Sequence, residues 1–241
     1  MKKFKLTSEF IVDISGVKLF RIKALIEFGN VKAGDLGGYI EKEENLSHMG
    51  NAWVSGNAQV SGDARVSGNA RVSGNARVFG DARVSGNARV SGDARVFGDA
   101  RVSGNAQVFG DARVSGDARV FGNARVFGDA RVSGNARVFG DAQVFGDARV
   151  SGNAQVFGDA RVSGDARVSG DKDYAYAHGF GSCNRTTTFF RLKDGDVGVR
   201  CGCFYGTLAQ FRDNVCETHG ETKKAQEYLM LADLMDFRFK N

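Results

Sequence analysis

Residues 66–90 read VSGNARVSGNARVFGDARVSGNARV, and the six-residue period of that stretch decides the fold. Val returns at every sixth place. Arg or Gln precedes it, Ser or Phe follows it, and Gly, Asn or Asp, and Ala complete the unit. Side chains alternate along an extended chain, so an inward Val sends both of its flanks outward. Gly followed by Asn or Asp suits a corner, because these residues tolerate positive φ. Ala, two places before each Val, is small enough to fill the inside of that corner. Six residues therefore make one side of a prism, and stacked units of this kind mark a solenoid.

The variable positions tell how many sides close a turn. At the Asn/Asp position, residues eighteen apart agree in 14 of 17 comparisons, whereas residues twelve apart agree in 8 of 18. The phenylalanines sort by the same spacing into Phe79/Phe97, Phe109/Phe127/Phe145 and Phe121/Phe139/Phe157. Three hexads per coil give a triangular cross-section with like residues stacked about 4.8 Å apart. Twenty hexads run from Gly50 to Ser169 without insertion or deletion, nearly seven coils. The rod they make is roughly 30 Å long.

Read from Val as V-[SF]-G-[ND]-A-[RQ], the hexads resemble the repeat of the left-handed parallel β-helix hexapeptide-repeat proteins. The lead-in VKAGDLGGYIEKEENLSHMGNAWVSGNA (residues 31–58) resembles a narrower group, bacterial and prophage hexapeptide-repeat proteins labelled as acyltransferases. Together the two resemblances cover about residues 1–169. They imply a mainly β, left-handed parallel β-helix, and acyl transfer from an acyl-CoA by a histidine base beside a loop leaving the coils. The sequence departs from that pattern in three ways. Phe occurs eight times at the outward position after Val, where the family favours small residues. No His lies between residues 49 and 177, and the unbroken hexads leave no loop to cover a substrate. A general base must reach the proton it removes, and His48 and His178, at the two ends of the rod, read more simply as cap residues.

The chain divides into an N-terminal β-hairpin cap (1–49), the hexapeptide-repeat β-solenoid (50–169) and a C-terminal α+β module (170–241). In the cap, FIVDISGVKLFRIKALIEF reads as a hairpin turning at Ser15–Gly16. In the module, TTTFFRL and VGVRCGCF read as strands. Thr207 and Gln210 form a capping box ahead of a helix whose apolar face is Leu208, Phe211 and Val215 and which Gly220 ends. A last helix, about 222–237, turns Ala225, Tyr228, Leu229, Ala232 and Met235 inward.

The 241 residues carry a net charge of +5 with a pI near 9.1, too mild to imply nucleic-acid binding by itself. Asp13 interrupts the apolar run in MKKFKLTSEFIVDISG, so no signal-peptide core forms and a cytoplasmic location is expected. All four cysteines (Cys183, Cys201, Cys203, Cys216) fall in the last quarter and read as reduced thiols. Cys201-x-Cys203 on a strand and Cys216-x-x-His219 on a helix make a four-ligand set of zinc type; the alternative is that these thiols pack as small hydrophobes. HGFGSCNRTTT, with Arg185 beside it, is either a small anion nest or a Gly-rich turn before an edge strand. No other cofactor is expected.

Fifteen of the twenty hexads carry Arg against eleven Asp at the corners, which reads as a solvated, mutually neutralising surface. A rod lined with Arg and aromatic rings can instead follow a nucleic-acid backbone. Six of the eight phenylalanines occupy two adjacent faces over residues 109–157. Stacked rings support their own ladder, yet two aromatic columns make a larger apolar patch than monomers usually show. Phe109, Phe121, Phe127, Phe139, Phe145 and Phe157, with Phe79 and Phe97, are therefore candidate interface residues for a protein partner or a homo-oligomer. The reading of function is a non-catalytic scaffold, with acyl transfer and nucleic-acid binding as alternatives, and no membrane span is expected. The C-terminal module is expected to be a second interaction element or to fold back over the Phe patch.

Overall fold

The computed structural model describes residues 1–181 and 185–240. Its centre is the solenoid: twenty two-residue strands, β4 to β23, running from Trp53–Val54 to Arg167–Val168. Each strand pairs in parallel with the strand eighteen residues on, so that Val96 lies between Val78 and Val114 and Arg95 between Arg77 and Arg113. Three parallel faces result, and they are numbered here in chain order. The first carries Val54 to Val162, the second Val60 to Val168 and the third Val66 to Val156. Every repeat Ala and Val is fully buried except Val168, at 1%. The rod makes about seven turns around a core that, between its ends, is built of these two side chains. Gly opens each corner at positive φ, as in Gly104 at +67°.

Three strands precede the rod. β1 (Phe4–Val12) and β2 (Lys18–Ala24) form an antiparallel hairpin turning at Asp13–Val17, and β2 pairs with β3 (Leu36–Ile40). β3 then pairs in parallel with Gln59–Val60, so hairpin and second face are one continuous sheet. Ile40 and Leu46 sit in register with Val60 and Val66. An incomplete coil thus starts inside the stretch that reads as cap. Gly37 and Gly38 let β3 cross closely over the coil below, since a Cβ on either would lie 2.6 Å from a backbone carbonyl oxygen, of Val54 or Ala58. Lys3 is buried, and its ammonium donates to the carbonyl oxygen of Ala52 at 2.8 Å and sits 4.7 Å from the Phe28 ring centre.

The far end is closed by an antiparallel sheet: β24 (Tyr174–Phe180), β25 (Arg185–Arg191), β26 (Val197–Cys201) and β27 (Phe204–Thr207). Alternation along β25 makes that sheet two-sided. Phe190 completes the rod's core, while Phe189 enters a second core with the helices α1 (Leu208–His219) and α2 (Lys223–Phe239). Thr188 accepts the Arg161 N–H at 3.0 Å, and Ala166 bridges Leu192, so β25 pairs backbone groups that the last coil leaves open. The capping box forms as expected from Thr207 and Gln210, and Leu208, Phe211 and Val215 are buried. In α2, Ala225, Tyr228, Ala232 and Met235 are buried, joined by Phe239, and Leu229 is half-buried.

Candidate interaction faces

The eight phenylalanines stand outward and stack on their column neighbours. Ring centres are 4.9 Å apart in Phe109–Phe127, Phe127–Phe145 and Phe121–Phe139, 5.0 Å in Phe79–Phe97 and 5.2 Å in Phe139–Phe157. That is the spacing of the coils themselves. Each ring covers part of the next, so seven are half-buried, and only Phe157, at 37%, is exposed. The columns are ladders that show ring edges.

The C-terminal module meets both longer ladders at their ends. Tyr176 meets Phe157 edge-on at 5.5 Å, and the Arg200 guanidinium lies 5.4 Å from the Phe145 ring centre. The next place in that second column is Ser163, which is buried beneath the module. The module therefore caps the ladders rather than folding back along them. Neither Tyr176 nor Arg200 stands out in the sequence as a ladder partner, because both lie outside the hexads; Ser163, following Phe109, Phe127 and Phe145, is the only trace. At the other end, the hairpin tip Asp13–Ser15 shares a groove with Gln59, Ser61 and Phe79.

Charge is distributed unevenly over the faces. Over three middle coils the second face presents Asp111, Arg113, Asp129, Arg131, Asp147 and Arg149. At the same level the first face presents Asn105, Gln107, Asn123, Arg125, Asp141 and Gln143, of which only Arg125 and Asp141 are charged. This neutral strip lies between the two long Phe ladders. Among the described residues no hexad Arg guanidinium comes within 4 Å of a hexad Asp carboxylate, Arg167 donating instead to the backbone oxygens of Asp147 and Asp165; the only ion pair to a repeat corner is Lys42–Asp63, which holds the Asp63 carboxyl below its ordinary range. The neutralisation expected from the sequence is therefore side by side rather than paired.

Cys201, Cys203 and His219 line one pocket between the sheet and α1 without converging as ligands. VGVRCGCF is a hairpin rather than one strand: Cys201 ends β26, and Gly202 (φ +58°) and Cys203 form the two-residue turn into β27. The two thiols thus do not share a strand face. Cys201 accepts from the Thr187 hydroxyl at 3.2 Å and donates to the Tyr228 hydroxyl at 3.7 Å. Cys216 is exposed on α1, and His219 stacks on Tyr228. Among the described residues no three His, Cys, Asp or Glu converge as a metal site. Cys183 and its neighbours at 182 and 184 lie outside the described residues, and the rest of the stretch read as an anion nest or a Gly-rich turn is the end of β24, Gly181 and the start of β25. His48 is held in the cap, stacked on Phe4 at 4.3 Å with Nδ1 accepting the Lys3 N–H at 3.2 Å. Among the described residues no helix is long and apolar enough to cross a membrane.

Residues 58–170 match a family model described as the YdcK β-solenoid repeat, in nine overlapping segments from 58–74 to 154–170. Successive matches start twelve residues apart, two prism sides at a time, whereas the coil closes every eighteen. No curated protein matches the chain.

Proposed function

We propose that the chain is a non-catalytic scaffold built on the β-solenoid whose repeats match over residues 58–170. It presents the Phe ladders and the strip between them to a partner protein or to a second copy of itself. One observation carries this reading: the first face keeps only Arg125 and Asp141 as charges where aromatic ladders border it on both sides. Interface centres have that composition, with charge depleted and aromatics enriched. Gln107 and Gln143 replace Arg there without any need of the core, since both positions point outward.

Acyl transfer draws no support from the histidines, since His48 is engaged in the cap and His178 is hydrogen-bonded to Thr186 at 2.9 Å. Nucleic-acid binding draws none from the Arg columns of the second and third faces, which run beside Asp columns that repel phosphate.

The test is a variant with Phe109, Phe121, Phe127 and Phe139 all changed to Ser. It spares Phe145 and Phe157, which hold Arg200 and Tyr176. Ser already fills most equivalent hexads, so circular dichroism is expected to show an intact β-rod. Light scattering and pull-down from the native host are expected to show lost association. An unchanged mass and unchanged captured partners would sink the proposal.

A further inference from the structure

Where the C-terminal sheet overhangs the last coil, the two border an open groove of about 580 Å³. The rod contributes Asp159 and Arg161 of its first face, and the sheet contributes His178, Arg185, Thr186 and the Gly202–Cys203 turn. Two guanidinium groups therefore line one space, one from each side. Among the described residues neither has an ion-pair or hydrogen-bond partner, and Asp159 lies beyond 4 Å from Arg161. The Arg185 guanidinium lies against the Gly202 turn, its Nη1 2.3 Å from where a Cβ on Gly202 would stand. The Thr186 hydroxyl, hydrogen-bonded to His178 Nδ1, adds a polar group on the same wall.

We propose that this cleft binds a small hydroxylated organic phosphate. Two exposed guanidinium groups lining one groove favour an anion between them, and the planar guanidinium fork matches the oxygens of a phosphate. Asp159 only accepts hydrogen bonds. It disfavours bare phosphate and favours a ligand whose hydroxyl donates to it. The volume falls in the range of small-molecule sites, with room beyond the phosphoryl group. This site is independent of the Phe ladders and stands whether or not they associate.

The experiment is calorimetric titration of the full chain with ribose 5-phosphate, inorganic phosphate and ribose. Saturable binding is expected for ribose 5-phosphate, weaker binding for inorganic phosphate and none for ribose. Arg161→Gln is expected to weaken ribose 5-phosphate binding roughly tenfold, the loss of one charge-assisted bond. Gln107 and Gln143 occupy the same column, so the rod tolerates that change. Arg89→Gln, in the same column but far from the cleft, is expected to leave binding unchanged, and Gly202→Ala to weaken it by displacing Arg185. No saturable binding of ribose 5-phosphate, or equal effects of Arg161→Gln and Arg89→Gln, would overturn the site. Equal affinity for inorganic phosphate would overturn the role given to Asp159.

Discussion

Gly104 shows at a single residue why the hexad varies so little. Its φ of +67° alone disfavours an L side chain, and a Cβ would also lie 2.9 Å from the backbone nitrogen of Gly122 in the next coil. Gly16, at the hairpin turn, has φ +83° but nothing within 4 Å of the same atom. The pair separates the two constraints. Gly16→Ala is expected to cost only the conformational term, about 1–2 kcal/mol. Gly104→Ala is expected to cost about 1 kcal/mol more, because two coils must part. Urea unfolding of both variants checks this, and equal losses would remove the coil contact from the account. The need for Gly was legible in the sequence as a turn requirement. The second reason, backbone against backbone, was not, because it belongs to residues eighteen apart.

At the scale of the element, the corner columns are hydrogen-bonded ladders with a direction. Asn69, Asn87, Asn105 and Asn123 each donate from Nδ2 to the next coil's side chain, at 3.0–3.1 Å, and the chain of bonds ends on Asp141. An amide both donates and accepts, whereas a carboxylate only accepts. A ladder of this kind can end on Asp but cannot pass through it. Asn105→Asp is therefore expected to break the run and cost about 1 kcal/mol. Asp141→Asn, which still accepts from Asn123 and gains a donor toward Asp159, is expected to cost nothing. Thermal unfolding of the two variants decides it, and a reversed order would refute the ladder's direction. The eighteen-residue agreement of Asn and Asp thus gave the coil from sequence, and the ladders account for its Asn-over-Asn steps. The incomplete first coil escaped because Leu46 and Val54 are eight residues apart, which hides the period. The Cys201–Cys203 turn escaped because a Gly within a strand-like run reads equally as strand or hairpin.

For the whole molecule, stability depends on how the two open ends are closed. At the start, Lys3 carries a proton into a buried place, and burial holds its ammonium down to about 8 against an ordinary value of 10.5. Between those values the unfolded chain keeps the proton and the folded chain releases it, so the folded state gains stability as pH rises through the window. Below about 8 the burial penalty is fully present. Relative to Lys3→Met, the wild type is expected to become more stable between pH 8 and 10.5, as read by urea unfolding at each pH. A constant difference would show that the ammonium is not desolvated. At the other end the sequence foretold both helices and their inward faces, through the capping box and the spacing of apolar residues. The placing of the sheet across the coil end rests on Phe190 facing the rod and Phe189 facing the helices. Two adjacent phenylalanines in a strand reveal that only once both sides of the sheet are known to be covered.

The constant offset of eighteen also makes the rod countable. Removing three hexads shortens it by one coil and leaves every column aligned with both caps. Removing one or two also rotates the C-terminal sheet by a third or two thirds of a turn. Ladders, neutral strip and cleft would then lie on faces that no longer correspond. Repeats this similar are prone to gain or lose copies by unequal recombination in the gene. Length can therefore drift between descendants of this chain, but only in whole coils if the geometry at its ends is to survive.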